Sequence, residues 1–391
     1  VYALAADGAD LYVGGYFSHA GGVSANNIAK WDGASWSALG SGMNRWVNAL
    51  AFIGADLYAG GFFWTAGGRS ATGIARWDGT SWSPLGSGLK HVDGVGNPAK
   101  ATALAVRGTD LYVGGRFETA GQVTAMNVAK WDGYNWSAVG EGVDGGYDEV
   151  QALAVIGTDL YVGGDSKRAG GVVALNIAKW NGATWSALGT PLPTRHWGLV
   201  SAMATGEGNV YATVGEKTSA RQFLALWDGS NWLDLGTLQS ADVAKANVLV
   251  ADGTDLYVGG IFETVDGVAA SNIAQWNGHT WSALGSGIHP YAEVHALAMM
   301  GSDLYVGGGS YFTSAGGVPV NGVARWDGSG WSARGAGVGG EVLSMAVNGA
   351  YLYVGGYFET AGGIPALNVA KWDGSTWSSL GSGAGGQVRA L

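Results

Sequence analysis

Twelve aspartates recur at two fixed offsets along the chain. Asp10, Asp56, Asp110, Asp159, Asp255 and Asp303 each precede Leu-Tyr, and Asp32, Asp78, Asp132, Asp228, Asp327 and Asp373 each stand between a tryptophan and a glycine. Carboxylates in series could hold a cation in every repeat. Calcium, however, takes six to eight oxygens converging on one point, and an Asp beside Gly is already what a tight turn requires. Turn formation is therefore the expected role, with a per-repeat cation site as the alternative. Paired carboxylates for glycoside hydrolysis would be compatible with Asp93, Asp148, Glu149 or Asp165, but no spacing selects a pair. There is no G-x-S-x-G, no H-E-x-x-H and no phosphate-cradling loop. The chain also has no Cys, which excludes disulfides and thiolate metal sites. The expectation is a protein without catalytic residues, metal or cofactor.

Binding chemistry is better represented. Sixteen of the 19 tryptophans form eight W-x4-W pairs, which leaves Trp46, Trp64 and Trp197 apart. His91, Tyr147, Asp165, Arg168, Arg195, His196, His289 and Tyr291 are scattered in the same stretches of chain. Exposed rings stack on sugar faces or anchor protein partners, and Arg and His donate hydrogen bonds beside them. Together these eleven residues are the candidate ligand-binding set. Trp46 and Trp64 are expected to be neighbours, with Arg195, His196 and Trp197 part-way round the molecule from them.

The elements that must position these residues come from an internal repeat. Aligned on "LYVGG", the chain has eight repeats that begin near Val1, Val47, Ala101, Val150, Val200, Ala246, Val294 and Val342, with periods of 46 to 54 residues. Each reads as four short strands: a ("VxALAV"), b ("DLYVGG"), c ("NIAKW") and d ("WSALG"). Asp-Gly or Asn-Gly between c and d supplies the backbone angles of a tight hairpin. The a-to-b and c-to-d connections keep constant length, whereas b-to-c and d-to-a vary. Because strands alternate in direction, the two variable connections emerge at the same end of the sheet. The candidate set falls there, with the long stretches "LKHVDGVGNPAK", "EGVDGGYDE" and "TPLPTRHWGL" as main contributors.

Strands a and b are apolar on both faces, so each sheet needs a neighbour on either side. Radial stacking of like sheets provides this and leaves few exposed edges. The glycine doublet, the Trp-bearing third strand and the second Trp beyond a tight turn resemble the kelch repeat. The phrase "LYVGGxFxTAGGxxAxNIAKWDGxxWSALGSG" is more similar still to repeats of the fungal cortical polarity marker and of bacterial surface proteins. The resemblance implies an all-β fold: a single closed eight-bladed β-propeller over 1–391. Its four-stranded antiparallel blades would lie near 1–46, 47–100, 101–149, 150–199, 200–245, 246–293, 294–341 and 342–387. Residues 388–391, "VRAL", echo the opening "VYAL", and Val1 to Ala6 is expected to take the first strand of blade 1. The copper oxidases among kelch relatives need a Cys–Tyr thioether, which this chain cannot form. On this reading the glycine doublets allow close approach or a bend, and the paired tryptophans fill the outer space between blades. Repeat 5 departs from the pattern, with Thr213 and Val214 in place of the doublet, through drift or a reshaped rim.

Composition narrows the partners. Glycine is 71 of 391 residues without a three-residue period, which fits a packed, turn-rich protein rather than collagen. A net charge of −10 argues against nucleic acid and anionic membranes, and no apolar run is long enough to span a bilayer. Few Lys and Glu with much Gly, Ala, Ser, Thr and Trp suggest a secreted or cell-surface protein. A start at Val1 inside a repeat suggests leader removal or a window of a longer polypeptide. The expected role is a recognition module for a glycan or protein ligand. The alternative is a structural block of a surface layer, filament or larger assembly, through self-association.

Overall fold

The structure, a computed structural model, describes residues 3–8, 10–91, 98–144, 150–188, 199–215 and 221–385. Among these every helix-or-strand element is a strand. Residues 3–188 with 199–203 form one compact unit, and residues 204–385 form a second.

The apolar runs pair as the expected meander. In repeat 3, strand a (Lys100–Arg107) pairs antiparallel with b (Asp110–Arg116), b with c (Val128–Trp131), and c with d (Trp136–Ala138). Six four-stranded sheets follow this order, and a six-stranded and a five-stranded sheet contain it. Five further small sheets depart from the expected pattern. The b-to-c connection, which reads as a loop, is itself a hairpin: Thr119–Ala120 pairs with Val123–Thr124. At several junctions the d-to-a segment of one repeat pairs with the next repeat's hairpin, as Leu89–Lys90 does with Thr119–Ala120 and Val143–Asp144 with Arg168–Ala169. The variable end is thus partly built from backbone pairing between repeats.

The core lies between successive sheets. In the first unit, Tyr12, Ile28, Leu39 and Met43 of repeat 1 pack with Val47, Leu57, Phe63 and Trp82 of repeat 2. Repeats 7 and 8 of the second unit show the same arrangement, with Tyr305 and Val323 against Val342, Leu352 and Trp372. The glycine doublet explains how the sheets come this close. A Cβ on Gly114 would lie 2.5 Å from Val150 Cγ1 of the next repeat, and one on Gly115 would overlap the Lys100 carbonyl oxygen, where strand a bulges between Ala101 and Ala103. One glycine admits the neighbouring sheet and the other admits the bulge.

The tryptophan pairs hold the sheets at their outer strands. Trp131 and Trp136 face each other with ring centroids 5.3 Å apart. The second indole of the pair also donates its Nε1–H to a carbonyl of the preceding repeat. Trp82 reaches Leu39 O at 2.7 Å, Trp136 reaches Leu85 O at 2.7 Å and Trp185 reaches Val139 O at 2.8 Å. In the second unit Trp331 reaches Leu284 O at 2.7 Å, Trp377 reaches Arg334 O at 2.8 Å, and Trp281 bonds to Leu235 O. A ring of this size removes roughly 150–250 Å² from water, so each pair contributes both area and a directed bond.

The Asn that opens strand c is a third fixed part. Asn127 adopts φ 62°, accepts the Phe117 N–H at 3.1 Å and donates to Val143 O at 2.9 Å. It therefore ties the b-to-c hairpin to the d-to-a segment. Repeats 2 and 7 have Gly73 and Gly322 at this position, also at positive φ, as a left-handed site requires.

Repeat 5 has a longer third strand (Arg221–Trp227) and a fourth (Trp232–Gln239) that runs on to pair with Thr264–Val265 of repeat 6. Thr213 and Val214 are both buried where other repeats carry the doublet. The opening strand Ala3–Asp7 pairs with Asp10–Gly14. Residues 386–391, which include the echoing "VRAL", lie outside the described residues.

Candidate functional site

The two ends of the sheets differ in chemistry. At the fixed end the first set of aspartates takes a partner on strand c: Asp56 pairs with Arg76 at 2.8 Å, Asp110 with Lys130 at 3.1 Å and Asp159 with Lys179 at 2.9 Å, while Asp255 accepts the Gln275 amide at 2.7 Å. The second set closes the c-to-d turns. Asp78 Oδ1 accepts the Thr80 hydroxyl at 2.7 Å and the N–H groups of Ser81 at 2.8 Å and Thr80 at 2.9 Å, which hold its carboxyl below the usual carboxylate range. These oxygens are committed to their own turns and ion pairs. Among the described residues no three His, Cys, Asp or Glu side chains gather as a metal set would. The tyrosines of "LYVGG" are buried, and burial pushes the phenols of Tyr58, Tyr112 and Tyr305 up, so they stay protonated packing groups.

At the opposite end, the junctions described between successive repeats of one unit are built from three positions. They are the residue after the doublet of one repeat, the residue at the start of strand a of the next, and the residue after that next doublet. The last two face each other across the sheet, as Trp46 and Phe62, Lys100 and Arg116, or Glu341 and Tyr357. At the first junction all three are aromatic. Tyr16 meets Trp46 edge-on at 5.9 Å, Trp46 meets Phe62 at 5.6 Å, and Phe62 meets Trp64 at 6.2 Å. The Arg45 guanidinium lies over the rings of Phe62, at 5.2 Å, and Trp64, at 4.8 Å. Asn44 fixes the segment, because its Oδ1 accepts the N–H groups of Trp64 at 2.9 Å and Thr65 at 3.1 Å. Tyr16 is 62% exposed and Trp46 39% exposed, so the row presents ring surface to solvent.

Trp46 and Trp64 are thus brought together through Phe62. Since Arg45 covers one side of Trp64, Trp46 and Tyr16 are the more accessible rings of the row. The other candidates stand at separate junctions. His91 lies between repeats 2 and 3, with Nδ1 3.4 Å from Glu118 Oε1. Asp165 and Arg168 flank the doublet and hairpin of repeat 4, where Arg168 donates to Gly171 O at 3.2 Å. His289 and Tyr291 lie between repeats 6 and 7 with rings 5.7 Å apart, and Tyr291 is 78% exposed. Tyr147, Arg195, His196 and Trp197 lie outside the described residues, as do Asp93, Asp148 and Glu149.

Tyr16 and Phe62 of the aromatic row, and Arg45 beside it, are absent from the candidate set. A signal for two of them is present in the sequence. The position after the doublet reads Tyr16, Phe62, Arg116, Asp165, Ile261, Gly309 and Tyr357, changing character beside an almost constant motif. A position that varies within a rigid frame is where a repeat protein places its contacts. A cleft of about 360 Å³ at the junction of repeats 7 and 8, between Ser310, Glu341 and Tyr357, is likewise outside the candidate set.

No protein-family model matches the chain, and no curated protein matches it significantly. Solved structures do match. One is the computationally designed Ika8 protein, with a TM-score of 0.59 and 17% identity over 95% of each chain. Another, described as YCF48 bound to D1 peptide, has a TM-score of 0.45 and 14% identity over 78% of this chain and 88% of that one. The repeated four-stranded antiparallel sheets, packed face to face within each unit, and the first of these likenesses define a β-propeller fold. At this identity the likeness concerns fold alone.

Proposed function

We propose that the chain is a non-enzymatic recognition module: a closed propeller of eight kelch-like blades over 1–391, with the blade boundaries given above. It acts outside the cell and binds a carbohydrate or a protein at the variable end. The observation that carries this reading is the row Tyr16–Trp46–Phe62–Trp64 with Arg45 beside it. Aromatic surface left in water on a rigid frame marks contact sites, and Trp, Tyr and Arg are the usual anchors of interfaces. A glycan array and a pull-down from native extract would identify the ligand. Trp46→Ala and Tyr16→Ala should then weaken its binding more than tenfold, about 1.4 kcal/mol, with the melting transition nearly unchanged. Normal binding by both variants would sink the reading.

A second reading, a building block of a surface layer or filament, is favoured by apolar side chains exposed at the hairpins, among them Val172, Val173, Ile364 and Leu367. Reversible assembly of the purified chain in sedimentation, without ligand and abolished by Val173→Ser with Ile364→Ser, would support that role instead.

A further inference from the structure

The junction of repeats 7 and 8 has the same three positions as the aromatic junction but opposite contents. Where Tyr16, Trp46 and Phe62 stand in the first unit, Gly309, Glu341 and Tyr357 stand here, and Gly340 takes the place of Arg45. A cleft of about 360 Å³ opens as a result, lined among others by Ser310, Gly339, Gly340, Glu341, Tyr357 and Glu359. No side chain at Gly340 can close it, since a Cβ there would overlap the Tyr357 carbonyl oxygen, and one on Gly339 would have to displace the Thr360 hydroxyl.

The groups in the cleft favour one kind of ligand. Glu341 Oε1 accepts the Ser310 hydroxyl at 2.8 Å, which holds that carboxylate across the opening while it retains lone pairs for another donor. Glu359 is exposed beside it, and Tyr357, 60% exposed, offers a ring face. Among the residues lining the cleft there is no Lys, Arg or His. The amide of Asn368 is already occupied, accepting the Phe358 N–H at 3.1 Å and donating to Ala384 O at 2.8 Å. What is left is two carboxylates, a π-face and bare backbone, an arrangement that repels anions and attracts a flat cation.

We infer that this cleft binds a guanidinium group, which would donate two hydrogen bonds to the Glu341 carboxylate and lie against the Tyr357 ring. A guanidinium fits better than an ammonium because it is planar and weakly hydrated, with its donors set in a fork that matches a carboxylate. The inference does not rest on the aromatic junction being a binding surface.

The test uses the full chain and two capped tripeptides, acetyl-Gly-Arg-Gly-amide and acetyl-Gly-Gln-Gly-amide, followed by amide NMR at Gly339 and Gly340. The Arg peptide should shift these resonances saturably, and the Gln peptide should not at tenfold higher concentration. Glu341→Gln should weaken the Arg peptide at least tenfold and Tyr357→Ala several-fold, while Trp46→Ala leaves it unchanged. If Glu341→Gln disturbs folding, Glu359→Gln and titration in high salt read the same charge dependence. Free arginine binding as well as the tripeptide would assign the site to a small metabolite, and binding of the tripeptide alone would assign it to a peptide; both sustain the inference. It is overturned if no saturable shift occurs, if the Gln peptide or methyl β-glucoside binds equally well, or if charge removal leaves the Arg peptide's affinity unchanged.

Discussion

The carboxylate of Asp327 accepts the Ser329 hydroxyl and the N–H groups of Ser329 and Gly330, and these hold its pKa down at about 2. Asp78 and Asp373 are lowered in the same way, first by the Thr80 hydroxyl and by the Thr376 N–H respectively. A folded-state value below the unfolded value of about 3.9 means stability that is fully present above pH 4 and is lost as pH falls toward 2 and below. Repeats 4 and 6 carry a built-in control. Asn181 Oδ1 accepts the corresponding N–H groups at 2.9 and 2.8 Å without a charge. The triple variant Asp78→Asn, Asp327→Asn, Asp373→Asn should therefore melt somewhat below wild type at pH 7, keeping the turns but not the charge, and lose less melting temperature between pH 4 and pH 2. Parallel acid profiles in circular dichroism would refute this. These turns were legible in the sequence because Asp-Gly is local chemistry. Trp46 and Trp64 stood out as tryptophans outside the W-x4-W pattern, in variable connections. Tyr16 and Phe62 did not, because each adjoins a constant motif and passes for scatter. The cleft at Glu341 is still harder to read, since Gly339 and Gly340 make it by having no side chains.

Strands a to d were legible because the same four patterns return in eight repeats. The two-residue hairpin strands, such as Thr119–Ala120 with Val123–Thr124, are too short to show any periodicity, and the strand that the neighbouring repeat adds to this one depends on a contact distant in sequence. The indole bonds between repeats were illegible for a related reason: "W-x4-W" gives the ring pair but not which carbonyl the second ring reaches. Trp136→Phe separates the two contributions. It keeps most of the buried ring but leaves the Leu85 carbonyl without its donor, so it should cost about 1–3 kcal/mol, against about 3–5 kcal/mol for Trp136→Ala. Urea denaturation of both variants measures the difference. Equal losses would mean that packing alone sets the contribution of the second tryptophan.

Within each unit the contacts described between sheets join a repeat to its immediate neighbour, so stability should behave as a sum of local repeat and interface contributions. Trp136→Phe and Trp331→Phe lie in separate compact units and share no partner. Their individual losses should add to within about 0.5 kcal/mol in the double variant, and a larger deviation in denaturation would show coupling through the whole chain. The tryptophan bonds described also have a constant sense: in repeats 2, 3, 4, 6, 7 and 8 the second indole reaches back to a carbonyl of the repeat before it. A ribosome makes the acceptor first. At roughly 5–20 residues per second a repeat takes seconds to emerge, whereas a hairpin closes in microseconds, so every new indole meets an acceptor already in place. Built this way, the sheets can be laid down in the order of synthesis, each new one finding the carbonyl it leans on already folded.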